Sequence, residues 1–227
     1  MMNYTHDDIL IVGDSYCHFR WGLREGNYDW PIVFSNLLTG SYNAPRGIGG
    51  PGCSWWFTRK ILISELSIRI PKILVICHTE PNRIVNDYNL GINHGAAFGD
   101  WDLGINSFTN IKINQDDIKN AAREYYKYLN STEYNAWCCK EWYLELEGHL
   151  LNLKIPCVIH LNCFFHHTFN YGTTATDILA SNGRIGDYHN HFNSYDNKKI
   201  GYNLYQAVLN YNKEDRIKNL NLFKELE

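Results

Sequence analysis

A serine hydroxyl near one end of the chain, and an imidazole beside a carboxylate near the other, are the residue types here best suited to catalysis. Ser15 lies in Gly13-Asp14-Ser15-Tyr16, directly after the aliphatic run Ile9 to Val12. The carboxyl end of a parallel strand is where open α/β sheets place their ligand sites. A serine attacks a carbonyl at neutral pH only when an imidazole takes its proton and a carboxylate orients that imidazole. The segment Asp187-Tyr188-His189-Asn190-His191-Phe192-Asn193 supplies both groups, with His189 and His191 each within reach of Asp187 along the chain. Taken alone, the Gly13-Asp14-Ser15 triplet reads more simply as a helix cap than as a nucleophile.

The elements that must position these residues follow an alternating pattern. Ile9 to Val12 reads as a strand buried on both faces, with Gly13-Asp14-Ser15 in the turn that follows. Trp30, Val33, Phe34, Leu37 and Leu38 recur at helical spacing, with Pro31 in the first turn and Gly40 as the stop. Ser41 to Ala44 is the expected second strand, followed by the glycine-rich stretch Gly47 to Gly52 and a helix from about Trp55 to Ile68. Ile73 to Cys77 and Ile155 to Leu161 are further strands, so helical patterns separate strands and a mostly parallel sheet is expected. Residues 83–114 form an irregular excursion over the site. Two helices fill about Gln115 to Leu153, another spans about Lys198 to Leu209, and a charged helical tail covers about 212–227. One domain over residues 1–227 accounts for the whole pattern.

Gly13-Asp14-Ser15 resembles the first block of the SGNH (GDSL-like) hydrolases. His191, with Asn193, Asn197 and the aliphatic helix beyond, is similar to their last block. The resemblance implies a three-layer αβα sandwich of flavodoxin-like type with a mostly parallel sheet of about five strands. It also selects His191 as base over His189. The family acid usually stands three residues before the histidine, whereas Asp187 stands four before His191 and two before His189. Gly52-Cys53-Ser54 is similar to the second block, whose glycine N–H joins that of the nucleophile in an oxyanion hole. The third block normally offers an asparagine after the third strand, but this chain reads Cys77-His78-Thr79-Glu80-Pro81-Asn82-Arg83. Thr79 and Asn82 are therefore the candidates for a further oxyanion donor, beside Ser15 and Gly52. The altered third block resembles that of a divergent, phage-like branch of the family, and the Asn-, Ile- and Tyr-rich composition fits an AT-rich genome.

The expected reaction is hydrolysis of a small-molecule or carbohydrate ester, with an acetyl ester of a carbohydrate as first choice. Tyr16, Trp55, Glu80, Arg83 and His189 are the expected substrate-binding residues. Aromatic faces at Tyr16, Trp21, Trp55, Trp56 and Trp101 suit stacking on sugar rings, although tryptophan more often faces a core. The rival reading is a module that keeps the fold and binds glycan or protein without turnover, and an acyltransferase is a closer alternative.

Other clusters carry less. His160, Cys163, His166, His167 and the Cys138-Cys139 pair lack the spacing of a closed zinc site, so no metal is expected. Gly47 to Gly50 precedes no Lys-Ser or Lys-Thr pair, which argues against a phosphate-cradling loop, and no cofactor is expected. A formal net charge of -3 and the absence of any basic cluster argue against nucleic-acid partners. The seven cysteines, several in apolar runs, favour free thiols and a reducing compartment. The first residues show no secretory signal pattern, and no apolar run reaches the ~20 residues of a membrane helix. A cytoplasmic protein is expected, or a virion-associated one if the chain is phage-encoded, with no membrane partner. The sequence is silent on its oligomeric state.

Overall fold

A computed structural model describes residues 4–14, 17, 28–47, 49–50, 54–86, 92, 114–162 and 194–214. Its centre is a parallel sheet in the order β2-β1-β3-β4, built from β1 (Ile9–Asp14), β2 (Gly49–Gly50), β3 (Ile73–His78) and β4 (Cys157–Asn162). Register is set by pairs such as Ile9↔Ile73 and Val12↔Ile76 between β1 and β3, and Ile76↔His160 between β3 and β4. The protein is α/β, with helices α1 (Trp30–Thr39), α2 (Trp55–Ile68), α3 (Gln115–Glu124), α4 (Thr132–Asn152) and α5 (Ser194–Leu209).

Two cores lie on opposite faces of this sheet, because successive side chains of a strand point to opposite sides. Ile9 and Ile11 of β1, Ile73 and Val75 of β3, and Ile159 and Leu161 of β4 pack with Trp30 and Phe34 of α1 and Ile200 and Leu204 of α5. Leu10, Val12, Leu74, Ile76 and Val158 face the other way, onto Leu62 and Leu66 of α2 and Trp142, Tyr143, Leu146 and Leu150 of α4. Each buried aliphatic side chain contributes roughly 1.5–3 kcal/mol of transfer free energy, so these two layers dominate the stability. Among the described residues, no helix is long and apolar enough to cross a membrane.

Local signals place most element ends. Pro31 occupies the first turn of α1, and Gly40 closes it at φ 75° with its N–H on Asn36 O. Asn114 and Ser131 accept from backbone N–H groups two and three residues on, starting α3 and α4. A π-helical turn, Tyr125–Leu129, continues α3.

The second strand is not at Ser41 to Ala44, which run as a connection with Tyr42, Asn43 and Ala44 exposed. Pairing with β1 begins instead at Arg46, whose N–H donates to Ile9 O and whose O accepts from Ile11 N, and continues through Gly49 and Gly50. The backbone comes so close that a Cβ on Gly47, at φ 105°, would stand 1.8 Å from Ile11 O. Only glycine fits there, and a glycine strand leaves no hydrophobic trace to read. Gly13 and Asp14 likewise belong to β1 and not to the turn after it. Helix α5 begins at Ser194, four residues before the expected Lys198. The expected excursion at 83–114, the segment Pro51 to Cys53 and the tail beyond residue 214 lie largely or wholly outside the described residues.

Candidate functional site

The carboxyl edge of the sheet is built from the last residues of β1 and β3 and the turn that leaves β3. Gly13 sits flush against β3: a Cβ there would approach Cys77 O to 2.4 Å. This tight seat fixes the height of Asp14, which has no solvent exposure. Arg83 reaches back to it with Nη1 3.0 Å from Asp14 Oδ2, and its own side chain is 5% exposed. Two charges buried in this way are tolerable only as a pair, so Arg83 and Asp14 lock the β3 exit turn onto the tip of β1.

That turn is braced from outside. Arg83 N donates to Glu80 O, and Ile84 N to Ile92 O. Tyr126, in the π-helical turn, donates its hydroxyl to Asn82 O at 2.8 Å and packs with Ile84, Ile92, Ile118 and Ala122. Burial, with the Glu80 carboxylate as a lesser cause, pushes the Tyr126 phenol well above its usual range and keeps it a neutral donor. Asn82 Oδ1 accepts from Asn135 Nδ2 at 3.3 Å, which ties the same turn to α4.

Beside the ion pair runs a hydrogen-bonded chain of three buried side chains. His78 Nε2 lies 2.7 Å from His160 Nδ1, and His160 Nε2 lies 2.8 Å from Glu147 Oε1. Strand register explains the first contact. Ile76 pairs with His160, so His78, two residues further along β3, falls on the same face and diagonally across from it. The rings stack at 4.9 Å between centroids. Tyr143 meets His78 edge-on at 4.2 Å and stands one helical turn before Glu147 on α4. Burial pushes the Tyr143 phenol far above its ordinary value. It also pushes the Cys139 thiol, which faces the Tyr143 hydroxyl, up to about 12. Asp14 continues the row: it lies on β1 at the level of His78, two residues beyond the Val12↔Ile76 pair.

On the opposite flank, Asn197 near the start of α5 accepts the Trp30 N–H with Oδ1 at 2.9 Å. Trp30 opens α1, whose first N–H groups would otherwise lack intrahelical partners. The clasp therefore joins the N-terminal ends of α1 and α5. Asp196 beside it is fully buried.

Of the residues expected from sequence, Ser15, Tyr16, Gly52, Asp187, His189 and His191 lie outside the described residues. Thr79 is buried immediately after β3, and Glu80 and Asn82 are half-buried in the turn that Arg83 anchors. Arg83, expected to meet substrate, is committed to Asp14. Trp55 packs its ring on Trp142 of α4 at 5.6 Å, against the second core. The sequence reading missed Asp14, His78 and Glu147 as a group, and assigned His160 to core or loop packing. The usable signal was parity: His78 and His160 each continue the same face as the aliphatic residues two positions earlier, Ile76 and Val158. Among the described residues, no cluster of three or more His, Cys, Asp or Glu side chains could hold a metal ion, and Cys17, Cys77, Cys138, Cys139 and Cys157 are free thiols. No family model matches the chain, and no curated protein or solved structure gives a significant match.

Proposed function

We propose that the chain is a serine esterase of SGNH type, acting on an ester of a small molecule or carbohydrate, with Ser15 as nucleophile, His191 as general base and Asp187 as the acid that orients it. Ser15 attacks the ester carbonyl while His191 accepts its proton, and the acyl-enzyme forms as the leaving alcohol takes that proton. Water, deprotonated by His191, then releases the acid. The N–H groups of Ser15 and Gly52 hold the oxyanion, with the Thr79 hydroxyl as a third donor and the Asn82 amide as its alternative.

The observation that carries this reading is the Asn197–Trp30 clasp at 2.9 Å. It brings the start of the helix following the His191 segment against the start of the helix following the Ser15 segment. Sequence neighbours support it further: Ser15 directly follows buried Asp14, and His191 stands three residues before Ser194. The order β2-β1-β3-β4 agrees with the first four positions of the 2-1-3-4-5 flavodoxin-like order, consistent with a three-layer αβα sandwich of about five strands.

Asn82, tied to Asn135 through Oδ1, is the less adaptable of the two extra donors. Loss of one oxyanion donor typically costs ~2.7–4 kcal/mol of barrier, so slow turnover is expected, and a non-catalytic glycan- or protein-binding module is the second reading. Hydrolysis of p-nitrophenyl acetate and of acetylated oligosaccharides by wild type, abolished in Ser15→Ala, supports the esterase. Equal background rates for both proteins would remove it.

A further inference from the structure

Burying an aromatic ring is among the larger single gains of folding, yet α4 opens by leaving two of them in solvent. Tyr134 is 60% exposed and Trp137 55%. They stand one helical turn apart on the same face, with ring centroids 6.0 Å apart and planes tilted by 33°. Ser131 fixes the backbone beneath them by accepting the Tyr134 N–H, and the Tyr134 hydroxyl is hydrogen-bonded to the Cys138 side chain one turn further on. The Tyr134 ring is therefore oriented before anything binds. Beside it in the chain, Asn135 Nδ2 lies 2.9 Å from Asn130 Oδ1 and 3.3 Å from Asn82 Oδ1, so both hydrogens of that amide are committed. Asn135 Oδ1, an acceptor, and Asn130 Nδ2, a donor, have no hydrogen-bond partner among the described residues.

We propose that Tyr134 and Trp137, with the amides of Asn130 and Asn135, form a binding surface for a neutral sugar chain. The C–H face of a pyranose is flat and apolar, which suits an exposed aromatic face. Its neighbouring hydroxyls each donate and accept, which suits one open amide oxygen and one open amide nitrogen. Size points the same way. The exposed part of the two rings amounts to roughly 200–300 Å², enough for one or two sugar rings and well short of the ~800 Å² that each partner gives to a standard protein interface. Charge agrees, because the first turns of α4, Thr132 to Lys140, carry one acid and one base, Glu133 and Lys140, and offer no excess to a nucleic acid or an anionic lipid surface. Asn135 also holds the turn that carries Thr79 and Asn82. On the esterase reading, on which this last step rests, the surface is a distal subsite that favours esters on oligosaccharides over small free esters.

Nitrogen-15 NMR of the Trp137 indole, with the line assigned through Trp137→Phe, tests the surface in Ser15→Ala protein, where ester cleavage plays no part. Titration with cellohexaose, xylohexaose and chitohexaose should move that line with at least one of them. Tyr134→Ala and Asn130→Ala should each weaken the same binding by roughly three- to tenfold. A line unmoved by all three sugars at millimolar concentration would overturn the proposal, as would affinity unchanged in Tyr134→Ala. A line that moves with phosphatidylcholine vesicles or with protein concentration, and not with sugar, would also overturn it and assign the surface to lipid or to a second copy of the chain. If Tyr134→Ala fails to fold by circular dichroism, the response of the Trp137 line to sugar alone decides. Cleavage of p-nitrophenyl acetate by wild type without sugar binding would remove the surface and leave the Ser15 reading standing, and sugar binding without cleavage would do the reverse.

Discussion

The three long strands present two different faces at their carboxyl tips. Towards α1 and α5 the sequence of side chains stays non-polar throughout: Ile9, Ile11 and Gly13 on β1, Ile73, Val75 and Cys77 on β3, and Cys157, Ile159 and Leu161 on β4. Towards α2 and α4 the aliphatic residues give way to Asp14, His78 and His160, met by Arg83 from the exit turn and Glu147 from α4. An apolar tip would have been the cheaper structure, since every buried ionisable group must be desolvated and then compensated. Among the described residues the polar tip lies on one face, while the other face joins the starts of α1 and α5 through Asn197 and Trp30.

The sharpest way to break the comparison is to uncouple the ion pair. Arg83→Met leaves Asp14 charged and buried without its counter-ion and should cost about 3–5 kcal/mol in urea unfolding. Ile159→Val, on the apolar face, should cost only about 0.5–1.5 kcal/mol. Adding Asp14→Leu to Arg83→Met should recover much of the loss. If the single and double variants unfold alike, compensation of Asp14 by Arg83 is not what holds the turn.

A smaller effect is expected at the amino end of the same strand. Asp8 is also buried, but its partners are partly solvated: Lys72 Nζ at 3.1 Å and Arg69 Nη2 at 3.3 Å, together with the N–H and hydroxyl of exposed Thr5 at 2.9 and 3.0 Å. Burial raises its pKa, but the bonds from Thr5 and Lys72 outweigh burial, and the carboxyl titrates below its ordinary 3.8. The folded state therefore gains stability from Asp8 above that value and loses it as pH falls through the depressed one. Asp8→Asn should cost about 1–2 kcal/mol at pH 7 and flatten the decline in stability below about pH 4. An unchanged acid limb in the variant would contradict this assignment.

The smallest expected effect concerns thiols on α4. With burial pushing Cys139 up to about 12, iodoacetamide at pH 8 should leave it unmodified in the folded protein, and peptide mapping should find the less buried Cys138 alkylated first. Alkylation of Cys139 at a rate matching Cys138 would mean that the polar face opens to solvent.

How far this contrast could be read from sequence differs by element. The aliphatic runs of β1, β3 and β4 and the apolar period of α1 and α2 carry their own signal, and each was located within a few residues, whereas α4 was read only as the second of two helices within about Gln115 to Leu153. Strand β2 could not be, because its pairing residues are glycines chosen for close backbone approach to Ile11, not for burial. His78 and His160 are 82 positions apart and meet only through strand register, and Glu147 joins them from a helix that carries no local mark of which face it buries. Asp14 was visible as part of a motif, but its partner Arg83 was read as a substrate contact. An ion pair between a strand tip and a turn has no periodicity that could reveal it.

The esterase reading rests on Ser15 being an activated nucleophile. Incubation with a fluorophosphonate probe, followed by mass-spectrometric mapping, tests that most directly. A single adduct on Ser15, absent in Ser15→Ala and strongly reduced in His191→Ala, is the predicted result. No adduct at high probe concentration, or one on another residue with Ser15 unmodified, would contradict it.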